Sequence, residues 1–190
     1  MYFCGEITTM IGVNTYIQQI SYDGLSYTKG AMVDPLSAFH IIAKEFPFVK
    51  NPESKELPTR DWAGADGLDI YVPPTLPMKH YSLDVTFLYT RRRDTQVTEA
   101  VIRQEISSFI DFLYGRKKGS QSDTVQSARL AVFNEYTGIG RKDIVVSSIS
   151  NEVFFLSAND DDFVAEFNVK FMVYDPTTEV TKSGNNLVWS

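Results

Sequence analysis

The sequence predicts an α+β fold that is mainly β: a sheet system with one long amphipathic helix covering an open face, or a β-sandwich carrying that helix. Three observations lead there. The stretch "FVAEFNVKFMVYDP", residues 163–176, is apolar at Phe163, Ala165, Phe167, Val169, Phe171 and Val173 and mixed at the positions between. That is the period of a strand with one face on a core. Residues 95–114 change to a helical period, with Val101, Ile102, Ile106, Phe109, Ile110 and Leu113 opposite Glu99, Arg103, Ser107 and Asp111. Thirteen Phe and ten Tyr favour pleated, half-buried surfaces, on which flat side chains pack well.

The elements follow in chain order. The first dozen residues are weakly patterned, and "NTYIQQISY", 14–22, predicts a strand with Asp23-Gly24 as its turn. Asp34 caps, and Pro35 suits, the first turn of a short helix over "LSAFHIIAKEF". The proline-rich, polar run 47–62 predicts a long exposed loop, the kind of segment in which function concentrates. "GLDIYVPP", 67–74, predicts a strand stopped by its proline pair. "YSLDVTFLYT", 81–90, predicts a strand with Tyr81, Leu83, Val85, Phe87 and Tyr89 on one face. Asp94 or Thr95 can cap the helix over 95–114, and Gly115 can end it. Beyond the polar loop 115–127, "ARLAVFNEY" and "DIVVSSIS" flank the turn "TGIGRK". "EVFFLSA" then leads through the acidic turn "NDDD" into the 163–176 strand. The expected organisation is a single domain over 1–190, with 1–13 and 177–190 as extended arms.

Bulk properties narrow the function. A chain of 190 residues buries about 70% of its unfolded surface and needs neither disulfide nor metal to fold. One cysteine, Cys4, cannot form an intrachain disulfide. No run reaches the roughly 18 apolar residues of a membrane span, and "MYFCGEITTM" lacks the basic start of a signal peptide. An intracellular protein without a membrane anchor is the expectation. The formal charge of −6 disfavours a direct grip on DNA phosphates. It permits DNA to pass a repelling wall.

Candidate chemistry is thin. His40 and His80 have no partner ligand at helical spacing, and with Cys4 they match no metal or Cys–His pattern. Asp61, Asp66 and Asp69 sit close together but lack the alternation and closing Glu of a calcium loop, so Asp66-Gly67 reads as a turn. "GIGRKD" is not a phosphate-binding loop, because it lies between strands. No catalytic residue, metal ligand or cofactor site is expected, and the chain reads as no enzyme. The notable surfaces are basic clusters on either side of the long helix, Arg91-Arg92-Arg93 and Arg116-Lys117-Lys118, and the acidic run Asp160-Asp161-Asp162. Patches of opposite sign suit contacts between copies. Together with Trp62 they are the expected self-assembly surface.

"RDWAGADGLDIYVPP" followed by "HYSLDVTFLYT", and then "ISSFIDFLYG", "ARLAVFNEYTGIGRKDIVVSSIS" and "AEFNVKFMVYDPTTEV", resemble phage tail proteins of the distal-tail and tail-tube type. The likeness covers residues 57–180 by order and texture, down to a final strand closing on Asp175-Pro176. It implies a tail-tube-like β-sandwich or barrel with a flanking helix, built into a ring, commonly a hexamer, around a channel for DNA. The implied partners are copies of the chain and other tail or neck proteins, with DNA passing unbound. The implied location is the virion, after assembly in the host cytoplasm. Tube, terminator, distal ring and connector all remain open as stations. Six copies would carry 6 × −6 = −36 charges, and acidic groups along a bore would repel phosphate over about 8 Å. A binding module gripping carbohydrate or a receptor through the 47–62 loop and Trp62 is the alternative. An enzyme holding a metal with Asp61, Asp66 and Asp69 is the third reading.

Overall fold

The computed structural model describes residues 14–61, 66–92, 97–116, 128–150, 153–156 and 162–189. The fold is mainly β. Strands β1 (Thr15–Tyr22), β2 (Tyr27–Val33), β3 (Ile41–Ala43), β6 (Tyr81–Arg92), β7 (Arg129–Asn134), β8 (Ile139–Ile149) and β10 (Asp162–Asp175) form one sheet, and β9 (Val153–Leu156) pairs with β10. Its order is β2-β1-β7-β8-β10-β6-β3, every pairing antiparallel. β4 (Thr59–Asp61) with β5 (Leu68–Ile70), and β11 (Thr181–Ser183) with β12 (Asn186–Val188), form two small separate ribbons.

The alternating strands hold their faces as expected. In β10, Ala165, Phe167, Val169, Phe171 and Val173 are buried, whereas Asn168, Lys170 and Tyr174 are exposed. β6 pairs with β10 through twelve consecutive residue pairs from Asp162↔Arg92 to Val173↔Tyr81, so the two longest patterned segments form the sheet's centre. The chain leaves β6 and returns at β7, three strands away, across helix α2 (Glu99–Tyr114). That crossing lays Ile102, Ile106, Phe109 and Leu113 on the buried face of the sheet. Phe109 meets Phe87 at 5.2 Å and Phe167 at 6.2 Å, and Phe87 stacks on Phe167 at 5.6 Å.

Several boundaries differ from expectation, each for a local reason. α2 is capped by Thr98, whose hydroxyl accepts from the Val101 amide; Asp94 and Thr95 lie outside the described residues. Gly115 ends the helix with φ 70°, as expected. The short helix α1 (Pro35–Phe39) stops at His40, which is left-handed at φ 57°. Its Asp34 cap accepts from the Leu36 amide at 3.1 Å. The next residues become β3, because Ile41 and Ala43 bury on one side at period two and pair with β6. Helical spacing and strand spacing coincide over so short an apolar run.

β8 begins at Ile139, four residues before the expected strand, and turns through residues 135–138. Its register with β7 shifts between Leu130 and Val132, where Asp143 takes φ 53°. This β-bulge uses one of the few residue types that tolerate that conformation. The C-terminal segment is a packed hairpin and not an extended arm. Val180 and Leu187 bury against Ile20 and Ala131 in a second small core. Residues 1–13 lie outside the described residues.

Candidate functional site

The prominent surface feature is an arm. Six of the eight prolines fall within residues 47–77. Proline has no amide to donate, so this stretch cannot add a full strand to the sheet. It forms a narrow ribbon instead. At its foot the Lys55 amide donates to Pro77 O at 2.7 Å, and the Lys79 amide to Glu53 O at 2.7 Å. Further out, β4 pairs with β5, and the Tyr71 amide donates to Pro58 O at 3.2 Å. The expected loop over 47–62 is therefore half of a longer ribbon that includes 66–79. Gly67, at φ 84°, turns beside Asp66 as expected.

Between Phe48 and Leu83 no described residue is fully buried. The arm nevertheless carries Ile70, Tyr71 and Val72, which are 50%, 66% and 62% exposed. Three adjacent apolar residues in water cost free energy that the fold does not recover within one copy. The signal was legible as "DIYVPP", where an apolar run continues past the end of pairing.

The arm is anchored where the sheet's strands meet its root. Arg141 is buried, and its guanidinium donates to Gly140 O at 2.9 Å and Val49 O at 3.5 Å. Among the described residues it has no carboxylate partner, and its Nε and the hydroxyl of Tyr81 are buried without hydrogen-bond partners. Burial pushes the Tyr81 hydroxyl above its usual pKa.

The second feature is the sheet face opposite α2. Over β6 and β10 it is polar: Asp84 and Lys170 are direct cross-strand partners, Thr86 donates to Asn168 at 2.7 Å, and Lys44 pairs with Glu166 at 2.8 Å. Among the described side chains of this face these two acidic and two basic charges balance. Tyr174 stacks against His80 at 6.0 Å on this side.

Ion pairs absorb part of the expected assembly surface. Arg91 meets Glu105 of α2 at 2.6 Å, and the Tyr89 hydroxyl donates to the same carboxylate at 2.7 Å. Burial first, and this carboxylate second, push the Tyr89 hydroxyl upward. Arg116 meets Asp111 at 3.5 Å. Arg93, Lys117, Lys118, Asp160, Asp161 and Trp62 lie outside the described residues, as do the side chains of Arg92, Asp162 and Asp69. Among the described residues no group of three or more His, Cys, Asp and Glu side chains is arranged to hold a metal ion, and no helix is long and apolar enough to cross a membrane.

One polar network was not foreseen. Lys142 meets Asp175 at 3.2 Å and Asp143 at 3.6 Å, and Tyr27 donates to Asp143 at 2.6 Å across the two intervening strands. Arg129 closes it on Asp143 at 2.9 Å. Sequence spacing could not place Tyr27 beside residues more than a hundred positions away. Burial opposes ionisation of Asp175, but the Thr178 amide and Lys142 outweigh it, so its carboxyl ionises below the usual value. Such a group stabilises the fold above the unfolded carboxyl pKa of about 3.9, and the gain is lost as pH falls through the depressed folded value. The thermal midpoint should therefore drop on acidification below about pH 4, and Asp175→Asn should flatten that part of the profile. An identical profile in the variant would contradict this role.

The class these features define is a mainly antiparallel-β protein with one covering helix and a projecting ribbon. Among known proteins, the chain matches no family model and no curated sequence.

Proposed function

We propose that the chain is a structural subunit that assembles with copies of itself into a ring, in a phage tail or neck, around a channel through which DNA passes unbound. Ring size follows the resemblance, which implies a hexamer with a tail-tube-like sandwich or barrel. The observation that carries the reading is the arm. It is an ordered ribbon with exposed Ile70, Tyr71 and Val72 and no fully buried residue among those described, so its apolar surface gains most against another molecule. A ring supplies that molecule at every position, through a head-to-tail contact whose rotation closes. The polar, charge-balanced sheet face suits a surface left open to water or a bore.

The test replaces Ile70, Tyr71 and Val72 together by Ser and compares sedimentation velocity and negative-stain images with the natural chain. Rings are expected from the natural chain, and a monomer of nearly unchanged thermal midpoint from the variant, since exposed substitutions alter stability by about 0.5 kcal/mol or less. A natural chain that stays monomeric at high concentration, or a variant that assembles normally, would overturn the reading. Exposed Tyr71 beside Arg60 and Pro58 also favours the alternative of a carbohydrate- or receptor-binding module. Glycan binding lost in Tyr71→Ala, without any ring, would select it.

A further inference from the structure

At the foot of the arm lies an open groove of about 420 Å³. Lys44, Glu45, Phe46 and Pro47, on the chain leaving β3, form one wall. Asn134, Tyr136 and Thr137, at the turn from β7 to β8, form the other. The floor is closed and its polar atoms are occupied. Phe46 is buried in the main core, and the Asn134 amide donates to Phe46 O at 3.2 Å while its carbonyl accepts from the Tyr136 and Thr137 amides. The rim is Tyr136, which is 81% exposed. A groove with an aromatic rim, a proline in its wall and a floor whose polar groups are satisfied suits an apolar occupant.

We infer that the groove receives the arm of a second copy of this chain, with Tyr71 and its neighbours Ile70 and Val72 against Pro47 and Tyr136. This rests on the assembly reading and adds its contact partner. Two observations name the occupant. The same chain displays both the exposed apolar segment and the apolar groove, and the exposure of Ile70, Tyr71 and Val72 shows that they do not meet within one copy.

Second, arm and groove lie at the same end of the sheet. The start of β6, the ends of β7 and β10 and the start of β8 are brought there by the pairs Tyr81↔Val173, Lys142↔Asp175 and Asn134↔Ile139. Copies related by a cyclic axis all point the same way, so an arm reaching sideways meets its neighbour's groove at its own level. An aromatic residue set in an apolar groove is the usual energetic centre of such a contact.

The experiment pairs cysteines across the contact, Val72→Cys with Thr137→Cys, in a Cys4→Ser chain. Both positions are exposed, so the fold should tolerate them. Under mild oxidation, non-reducing gels should show a ladder of covalent multimers ending at the ring size, and neither single variant should give it. In parallel, Tyr136→Asp should weaken assembly at least tenfold in sedimentation, whereas Tyr136→Phe should keep it. If assemblies form but no ladder appears and Tyr136→Asp is silent, the groove assignment is wrong while the assembly reading stands. If no assemblies form, both are wrong.

Discussion

Phe167→Asp is expected to prevent folding altogether. Phe167 is 1% exposed in the middle of β10, stacked on Phe87 and edge-on to Phe109 of α2. It is therefore the point where the two central strands and the helix share one contact. Truncation alone, Phe167→Ala, should cost about 3–5 kcal/mol through lost transfer energy and the cavity left behind. A carboxylate there adds the desolvation of an unpaired charge with no cation beside it. Marginal stabilities of about 5–15 kcal/mol do not absorb the sum. Far-ultraviolet circular dichroism and soluble yield read the result. A soluble variant with native dichroism and cooperative melting would show that this face is not the core.

That prediction was available from the sequence, because alternation at β10 and β6 and the helical stripe at α2 each specify a buried face without reference to anything distant. Phe163 to Val173 and Ile102 to Leu113 carry a period that only one element satisfies. The short pieces were less legible. Ile41–Ala43 reads equally as the end of a helix, and its pairing with Leu88 on β6 decides it. β2, with a mostly exposed pattern, gives no period at all; it exists because β1 offers an edge.

The candidate site divides in the same way. Prolines mark the arm as apart from the sheet, and that is local information. The groove is not: Phe46 and Asn134 meet only through the sheet order, as do Tyr27 and Asp143. Arg91 shows the converse, since a basic triplet looks like free surface until α2 brings Glu105 to it.

Gly140→Val tests a contact that no composition or period reveals. A Cβ placed on Gly140 would lie 2.5 Å from Val180 O and 2.9 Å from Val132 O, both backbone atoms that cannot swing aside. The Val180 amide donates to Gly140 O at 3.2 Å, so the close approach is also the attachment of the C-terminal segment to β8. Beyond it, Val180 and Leu187 fill the second core, and Trp189 packs edge-on to Tyr27 at 5.6 Å with Lys29 above it. Overpacking should cost about 1–3 kcal/mol. The larger share of the cost should fall on the hairpin, because the tighter approach is to Val180 and because β11 and β12 are held by it and by the buried Gln18, which accepts from the Leu187 amide at 3.1 Å.

The readout is Trp189 fluorescence in a Trp62→Phe chain: a red shift with little change in far-ultraviolet dichroism. Gly138→Ala is the control, since Gly138 has φ 68° but open space around it. It should cost about 1–2 kcal/mol of backbone strain and leave Trp189 unshifted. Equal emission changes in both variants would mean that strain in the turn, and not the contact with Val180, controls the hairpin. A fully stable Gly140→Val would show that the second core closes without it.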